Sequence, residues 1–210
     1  MLRYLTSEEL DQRPRLRDSM CEDRARQFRA RRGWEVKVDA LGQERDQYDG
    51  LPGCLYVIWE ERDGSHGGSM RFLPTTGRTM LAEHFLALAQ GVSFESPWIW
   101  ECTRFCLSPG AGARVAPALM LGGLDLGLGH GLSHAVGVFD APMVRVYRRL
   151  GWPPAVLGTE GKGRDAISAG LWAFEPELRP ALLHRAGRLP GLADHWYAVA
   201  FGSTPMRAAG

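Results

Sequence analysis

Six ionisable side chains sit among apolar residues, where charge without a partner is rarely tolerated: Arg24, Arg71, Glu101 and Arg104, with Asp46 and Asp49 in an acidic stretch between Gly42 and Gly50. Met20 and Phe28 flank Arg24 at i−4 and i+4, Met70 and Phe72 enclose Arg71, and Glu101 and Arg104 fall among Trp98, Trp100, Phe105 and Leu107. Charges of both signs in such surroundings, with Phe28 and Trp34 close by, suit a polar zwitterionic ligand held in a mostly apolar pocket. A snorkelling Arg24 whose head reaches water is the plainer alternative.

Other chemistries are poorly served. Cys102-x3-Cys106 and His130-x3-His134 imitate a zinc site. On a strand, however, residues i and i+4 stand about 13 Å apart at ~3.3 Å per residue, too far for one ion, so no metal is expected. Ser108 and Ser133 lack a glycine-flanked elbow, and no cysteine has a histidine partner by spacing. The glycine-rich Pro109–Ala113 loop ahead of a helix is a phosphate cradle in form, although such loops are more often simple turns.

These groups need a scaffold. With 210 residues, 45% hydrophobic and 23% charged, the chain has room for one α/β core, not for two full enzyme domains with a linker. A formal net charge of +1 argues against a nucleic-acid binder, even though the arginines crowded over residues 3–32 invite an anionic partner. No run of about 18 apolar residues is present, so membrane insertion is not expected. A cytoplasmic location follows by default, with Cys21, Cys54, Cys102 and Cys106 as packing thiols.

The segment Thr6-Ser7-Glu8-Glu9 has the spacing of a capping box, and Pro14 separates its short helix from a longer one over about Arg15–Arg31. A short strand at Trp34–Val38 precedes a long, acidic, irregular loop to Gly53. Strands at Cys54–Glu61, Gly68–Leu73 and Trp98–Leu107 should pair as an antiparallel sheet, with a helix over about Thr79–Gln90. Strict alternation puts Glu101 with Thr103 and Phe105 on one face and Arg104 with Cys102 on the other. A bulge between the two charges brings both to one side and opens the sheet locally. A glycine-diluted helix to Gly129, a strand at Ser133–Phe139 and a helix at Met143–Leu150 follow, with a parallel pair between the third and fourth long strands. Short strands near Ala155–Leu157 and Ala169–Phe174 and a helix near Glu177–Arg185 complete the domain, and residues 203–210 read as a flexible tail.

The motifs Arg24-x3-Phe28-x2-Arg31-x-Gly33-Trp34, Glu44-x-Asp46-x2-Asp49, Arg71-Phe72-x-Pro74, Glu101-x2-Arg104-Phe105 and Gly151-Trp152, in that order, resemble the acyl-homoserine-lactone synthases, which make bacterial quorum-sensing signals. The resemblance covers about residues 1–185. It implies a single N-acetyltransferase-like α/β domain over 1–202, with a twisted mixed sheet flanked by helices and splayed between its fourth and fifth strands. It also implies transfer of an acyl group from an acyl carrier protein or coenzyme A thioester to the amine of S-adenosylmethionine. The methionyl carboxylate then attacks the carbon next to the sulfonium, giving the acyl-homoserine lactone, methylthioadenosine and the free thiol carrier. S-adenosylmethionine is thus a substrate, and no cofactor is called for.

By the same resemblance, Arg24, Phe28, Trp34, Asp46, Asp49, Arg71 and Phe105 belong to the S-adenosylmethionine site and Glu101 and Arg104 to catalysis. Which arginine touches substrate and which braces an acid stays open, as does the choice for Glu101 between general base and structural anchor of Arg24 or Arg104. Backbone N–H groups at the bulge are candidates to stabilise the oxyanion. Phe85, Trp100, Leu107, Leu119, Gly137, Val138, Met143 and Leu171 are the expected acyl-pocket residues. Gly137 stands where relatives favouring 3-oxo chains often carry a hydroxyl, which leans towards an unsubstituted or otherwise unusual acyl group. Leu107-Ser108-Pro109 precedes Gly110 where the superfamily's pyrophosphate loop begins with Arg or Gln, which weakens coenzyme A recognition through that loop. Arg145, Arg148 and Arg149 offer a docking face for an acidic acyl carrier protein. Two other functions compete: an N-acyltransferase that acylates another amino acid without lactonisation, and a module that binds S-adenosylmethionine without turnover. Release of methylthioadenosine separates the first, and thiol release from an acyl donor the second.

Overall fold

The computed structural model describes residues 1–31, 33, 35–202 and 205. Its strands are β1 (Leu2–Thr6), β2 (Leu55–Glu60), β3 (His66–Pro74), β4 (Ile99–Leu107), β5 (His134–Asp140), β6 (Ala155–Glu160) and β7 (Ile167–Ala173). They form one mixed sheet in the order β1-β2-β3-β4-β5-β7-β6. The antiparallel set β1 to β4 joins the antiparallel set β5, β7, β6 through one parallel pair, β4 with β5. That pair is in register only over Ile99–Glu101 against His134–Val136. Beyond it the strands part, so the splay falls between the fourth and fifth strands as expected.

The helices are α1 (Ser7–Asp11), α2 (Pro14–Ala25), α3 (Met80–His84), α4 (Val115–Gly129), α5 (Met143–Leu150), α6 (Arg179–Ala186) and α7 (Pro190–Phe201). The capping box forms: Glu9 N–H donates to Thr6 Oγ1 at 3.2 Å and Thr6 N–H to Glu9 Oε2 at 2.8 Å. Pro14 opens α2, where its missing N–H has no helical partner to lose. The helix expected to reach Arg31 changes character at Arg26, and a π-helical turn covers Arg26–Arg31, a form that recurs at functional sites. In place of the strand expected over Trp34–Val38 there is an isolated bridge between Val38 and Glu44. Trp34 lies outside the described residues, as does the expected tail apart from Pro205. The helix expected over Thr79–Gln90 breaks at Phe85 into α3 and a 3-10 turn, Leu86–Ala89.

The sheet carries a packed layer on each face. On one, Leu16, Met20 and Cys21 of α2 meet Tyr56, Ile58 and Leu73; on the other, α4 packs Leu119, Leu121 and Leu124 against Val57, Met70 and Phe72. The glycines of α4 serve close approach. A Cβ on Gly122 would stand 2.6 Å from Leu2 Cδ2, and one on Gly127 would stand 2.1 Å from the Phe174 ring. Gly127→Ala should therefore destabilise the fold by roughly 1–3 kcal/mol through overpacking, outweighing a helix-propensity gain of at most about 1 kcal/mol. A lower urea midpoint with an unchanged m-value is the expected readout, and a raised midpoint would contradict this packing.

Candidate active site

Five of the six charges singled out from sequence, Arg24, Asp46, Asp49, Arg71 and Arg104, join Glu44 on the α2 side of the sheet in one closed ring. Arg24 Nε donates to Glu44 Oε2 at 2.5 Å, and its two terminal nitrogens hold Asp49 at 2.8 and 3.0 Å. Arg71 grips Asp46 at 2.5 and 3.0 Å, reaches Asp49 at 2.7 Å, and gives its Nε–H to Thr103 Oγ1 at 3.0 Å. Arg104 closes the circuit on Glu44 and Asp46, both at 2.8 Å. The order Arg24, Glu44, Arg104, Asp46, Arg71, Asp49 thus alternates in sign and returns to its start, three cations against three carboxylates. Arg24, Arg71 and Glu44 are essentially inaccessible to solvent.

The three arginines come from α2, β3 and β4, and local bonds fix the acidic loop that supplies all three carboxylates. Tyr48 N–H donates to Asp46 Oδ1 and Asp46 N–H to Asp49 Oδ2, so the two carboxylates shape their own turn. The Asp49 carbonyl accepts from Ser7 and Tyr56, and Tyr56 Oη also donates to Asp49 Oδ1 at 2.7 Å. Burial alone would raise the Asp49 carboxyl, but Arg24 and Arg71 overcome it and hold the group far below the usual carboxylate range. Asp46 is likewise lowered, burial being outweighed by its bonds to Arg71.

Arg104 owes its place to a bulge. Ser69 pairs with Cys106 and Arg71 with Thr103, leaving Arg104 and Phe105 opposite Met70 alone. Arg104 takes a left-handed conformation, φ +55°, and its side chain joins the face that carries Glu101 and Thr103. The same extra residue corrects another expectation: Phe105 does not join the ring. It turns to the α4 side, where its ring meets Tyr147 at 6.1 Å. Cys102 and Cys106 are also split between the two faces. Phe28 is buried and its ring lies 5.2 Å from the Arg104 guanidinium, a cation–π contact.

Glu101 has partners other than those considered from sequence. Its two oxygens accept the N–H groups of Met80, at 3.0 Å, and Leu81, at 2.6 Å, so it anchors the start of α3, and its hydrogen bonds go to neither Arg24 nor Arg104. Burial raises its pKa and the two amides oppose the rise. Ser69, His66 and Asp23 have the connectivity of a nucleophilic triad, at 3.0 and 2.8 Å. All three are buried and none lines the spaces described next, so they tie α2 to β3.

Two spaces border the ring. A cleft of about 930 Å³ is lined by Glu35, Lys37, Asp39, Glu44, Arg45, Asp46, Tyr48, Met80, His84, Phe85, Arg104 and Val138, among others. An apolar cavity of about 50 Å³ lies in the β4–β5 splay, walled by Met70, Phe72, Cys102, Phe105, Met120, Tyr147, Trp152 and Trp172. Arg104 and Val138 line both. Of the expected acyl-pocket residues, Val138 borders both spaces and Phe85 the cleft. Trp100, Leu107, Leu119 and Met143 belong to the α4-side core, and Leu171 packs in the cluster around Val136 and Ala169. Gly137 abuts β4: a Cβ there would stand 2.6 Å from the Cys102 carbonyl oxygen. Thr103, Tyr56, Tyr147 and Trp172 were absent from the sequence-based selection, whereas Glu44 and Trp152 entered it only as members of the spaced motifs.

A family model described as autoinducer synthase matches residues 7–171. An acyl-homoserine-lactone synthase of Rhizobium etli is 43% identical over 178 residues, 82% of this chain and 84% of that protein. Among solved structures, the CoA-dependent acyl-homoserine lactone synthase MesI superposes with a TM-score of 0.78 at 24% identity, over 90% of this chain and 96% of that one. The CoA-dependent synthase BjaI, solved with SAM and isopentyl-CoA, gives a TM-score of 0.78 at 21% identity, over 90% of each chain. The fold is N-acetyltransferase-like, a mixed sheet with one parallel pair and flanking helices.

Asp49→Asn removes one carboxylate from between two buried guanidinium groups and should lower stability by roughly 3–5 kcal/mol at neutral pH. Because Asp46 and Asp49 are depressed in the folded state, their stabilisation is complete above the unfolded value of about 3.9 and is lost as pH falls through the folded values. The gap between wild type and variant in urea titrations should therefore narrow towards acid; a gap independent of pH would contradict the ring.

Proposed function

The chain belongs to the autoinducer synthase family and makes an acyl-homoserine lactone from S-adenosylmethionine and an acyl thioester, releasing methylthioadenosine; on that premise we propose that the cleft holds S-adenosylmethionine and the apolar cavity the acyl tail. The observation that carries this reading is that Arg104 and Val138 line both spaces, so a substrate in each would meet at the β4–β5 splay. Beyond the neutral ring the cleft presents two carboxylates, Glu35 and Asp39, against two cations, Lys37 and Arg45, a lining of mixed sign that suits a ligand carrying sulfonium, ammonium and carboxylate together.

The ring supports a division of roles among the arginines. Arg24 and Arg71 commit each of their nitrogens to the ring and to Thr103, and they brace the acidic loop. Arg104 Nη1 meets only the Met80 thioether, at 3.8 Å, among its described contacts. It is the guanidinium for the methionyl carboxylate, with Phe28 supporting it.

An ordinary α-amino group titrates at about 7.7–8.0, so part of the substrate amine is already neutral near pH 7 and can pass its proton to cleft water. The free amine attacks the thioester carbon. Backbone amides freed from the ladder by the Arg104 bulge stabilise the tetrahedral oxyanion, and collapse expels the thiol carrier. The methionyl carboxylate, oriented by Arg104, then attacks the carbon beside the sulfonium, closing the lactone and expelling methylthioadenosine. Glu101 is a positioning residue in this scheme, fixing α3 so that Met80 and His84 face the cleft. The exposed arginines of α5, Arg145, Arg148 and Arg149, form the face for an acidic carrier protein, on the helix whose Tyr147 walls the cavity.

Purified protein given S-adenosylmethionine and an acyl thioester should release methylthioadenosine and thiol in equal amounts. Acylated product without methylthioadenosine would favour the plain N-acyltransferase instead. Arg104→Lys keeps the charge but loses the planar fork, and S-adenosylmethionine binding should weaken by roughly tenfold or more; an unaltered isotherm would remove Arg104 from the site. Glu101→Gln should lower kcat while the shape of the pH–rate profile is retained, and loss of its acidic limb would make Glu101 the base.

A further inference from the structure

The walls of the apolar cavity define the acyl group it takes, an inference that rests on the acyl-pocket reading above. The volume is about 50 Å³. A water-sized group needs roughly 10–15 Å³ on the same measure, so the space holds about three to five groups of methylene size. Its mouth is at Arg104 and Val138, and away from the cleft it is lined by Met70, Phe72 and Met120 and by an aromatic wall of Tyr147, Trp152 and Trp172.

That wall is rigid. Trp152 Nε1–H donates to the Ala173 carbonyl at 2.9 Å, and Trp172 Nε1–H donates to the Trp152 carbonyl at 3.1 Å. The Trp172 ring also stands edge-on to Tyr147 at 5.2 Å and to Phe139 at 5.4 Å. Lengthening the cavity past the indoles would break an indole hydrogen bond and separate edge-to-face rings, whereas methionine or leucine in their place could yield by changing rotamer. The splay is also narrow beside this wall, since the β5 backbone at Gly137 leaves no space for a Cβ against the Cys102 carbonyl.

We propose that this enzyme transfers a short acyl group, roughly four to six carbons including the carbonyl carbon, and that Trp152 and Trp172 set the limit. The test supplies the full-length protein and S-adenosylmethionine with acyl-coenzyme A and acyl–acyl carrier protein donors of about four to twelve carbons, and measures methylthioadenosine and lactone. Whichever carrier serves, kcat/KM should peak at about four to six carbons and fall roughly tenfold or more for each further pair of methylenes. Trp172→Leu should move the optimum to longer donors, and Tyr147→Leu provides the same readout if the first variant does not fold. A wild-type optimum at ten or more carbons, or an unmoved profile in a folded variant, would overturn the inference. Turnover with no donor of any length would overturn the acyl-pocket reading and this inference with it.

Discussion

A buried guanidinium is tolerable only beside a carboxylate, and here three of them are satisfied by three carboxylates in a single circuit. Closure matters more than the number of pairs. In an open chain the terminal ions would each have one neighbour and one face needing water; in the ring every ion has two opposite neighbours. The acidic loop is held from three directions, by α2, β3 and β4, while Asp46 and Asp49 fix its turn through their own backbone bonds. A segment irregular in dihedral angles is thereby one of the most constrained parts of the molecule.

The circuit in turn holds a strained backbone in place. A non-glycine residue in the left-handed region costs about 1–3 kcal/mol, and Arg104 adopts it in the middle of a strand. What maintains it is that only this conformation brings the side chain to Glu44 and Asp46 while Phe105 completes the opposite face. The bulge thus divides two adjacent residues between two chemically different layers and sits where β4 leaves β5.

The sequence makes the charged half of the site legible because burial of an arginine leaves a visible signature, an ion at a position whose neighbours in the helical or strand pattern are apolar. Arg24, Arg71 and Arg104 are recognisable in that way, and the possibility of a bulge follows from the two charges on one strand. The side of Phe105 is not legible, since one inserted residue reverses alternation and nothing in the local residue types states where the insertion falls. The cavity walls are hidden for a different reason: Tyr147, Trp152 and Trp172 are apolar in the same sense as any core residue, and only the parting of β4 and β5 leaves them facing a space. β1 and α7 lack a clean period. Tyr4 and Leu5 are buried in succession on β1, and α7 exposes Leu192 and Val199 although they share a helical face, at i−4 and i+3, with its buried Trp196.

The sheet separates the two layers and is pierced at one place. On the α2 side lies a closed ionic network; on the α4 side, a small aromatic-walled space; Arg104 and Val138 stand in the opening. This arrangement answers a chemical difficulty of the reaction, since a thioester in contact with both an amine and water has two nucleophiles to choose from. An ion layer that admitted solvent to satisfy loose ends would deliver water to the carbonyl carbon. With the acyl tail in the cavity as proposed, the ring's internal pairing would confine hydration to the open cleft, and the acyl side of the opening would stay dry when the chain fits the cavity. On that proposal a chain too short would leave room for water, and one too long would hold the carbonyl away from the substrate amine. The rigidity of the aromatic wall would then protect the thioester as well as select it, tying acyl-length discrimination to the suppression of hydrolysis.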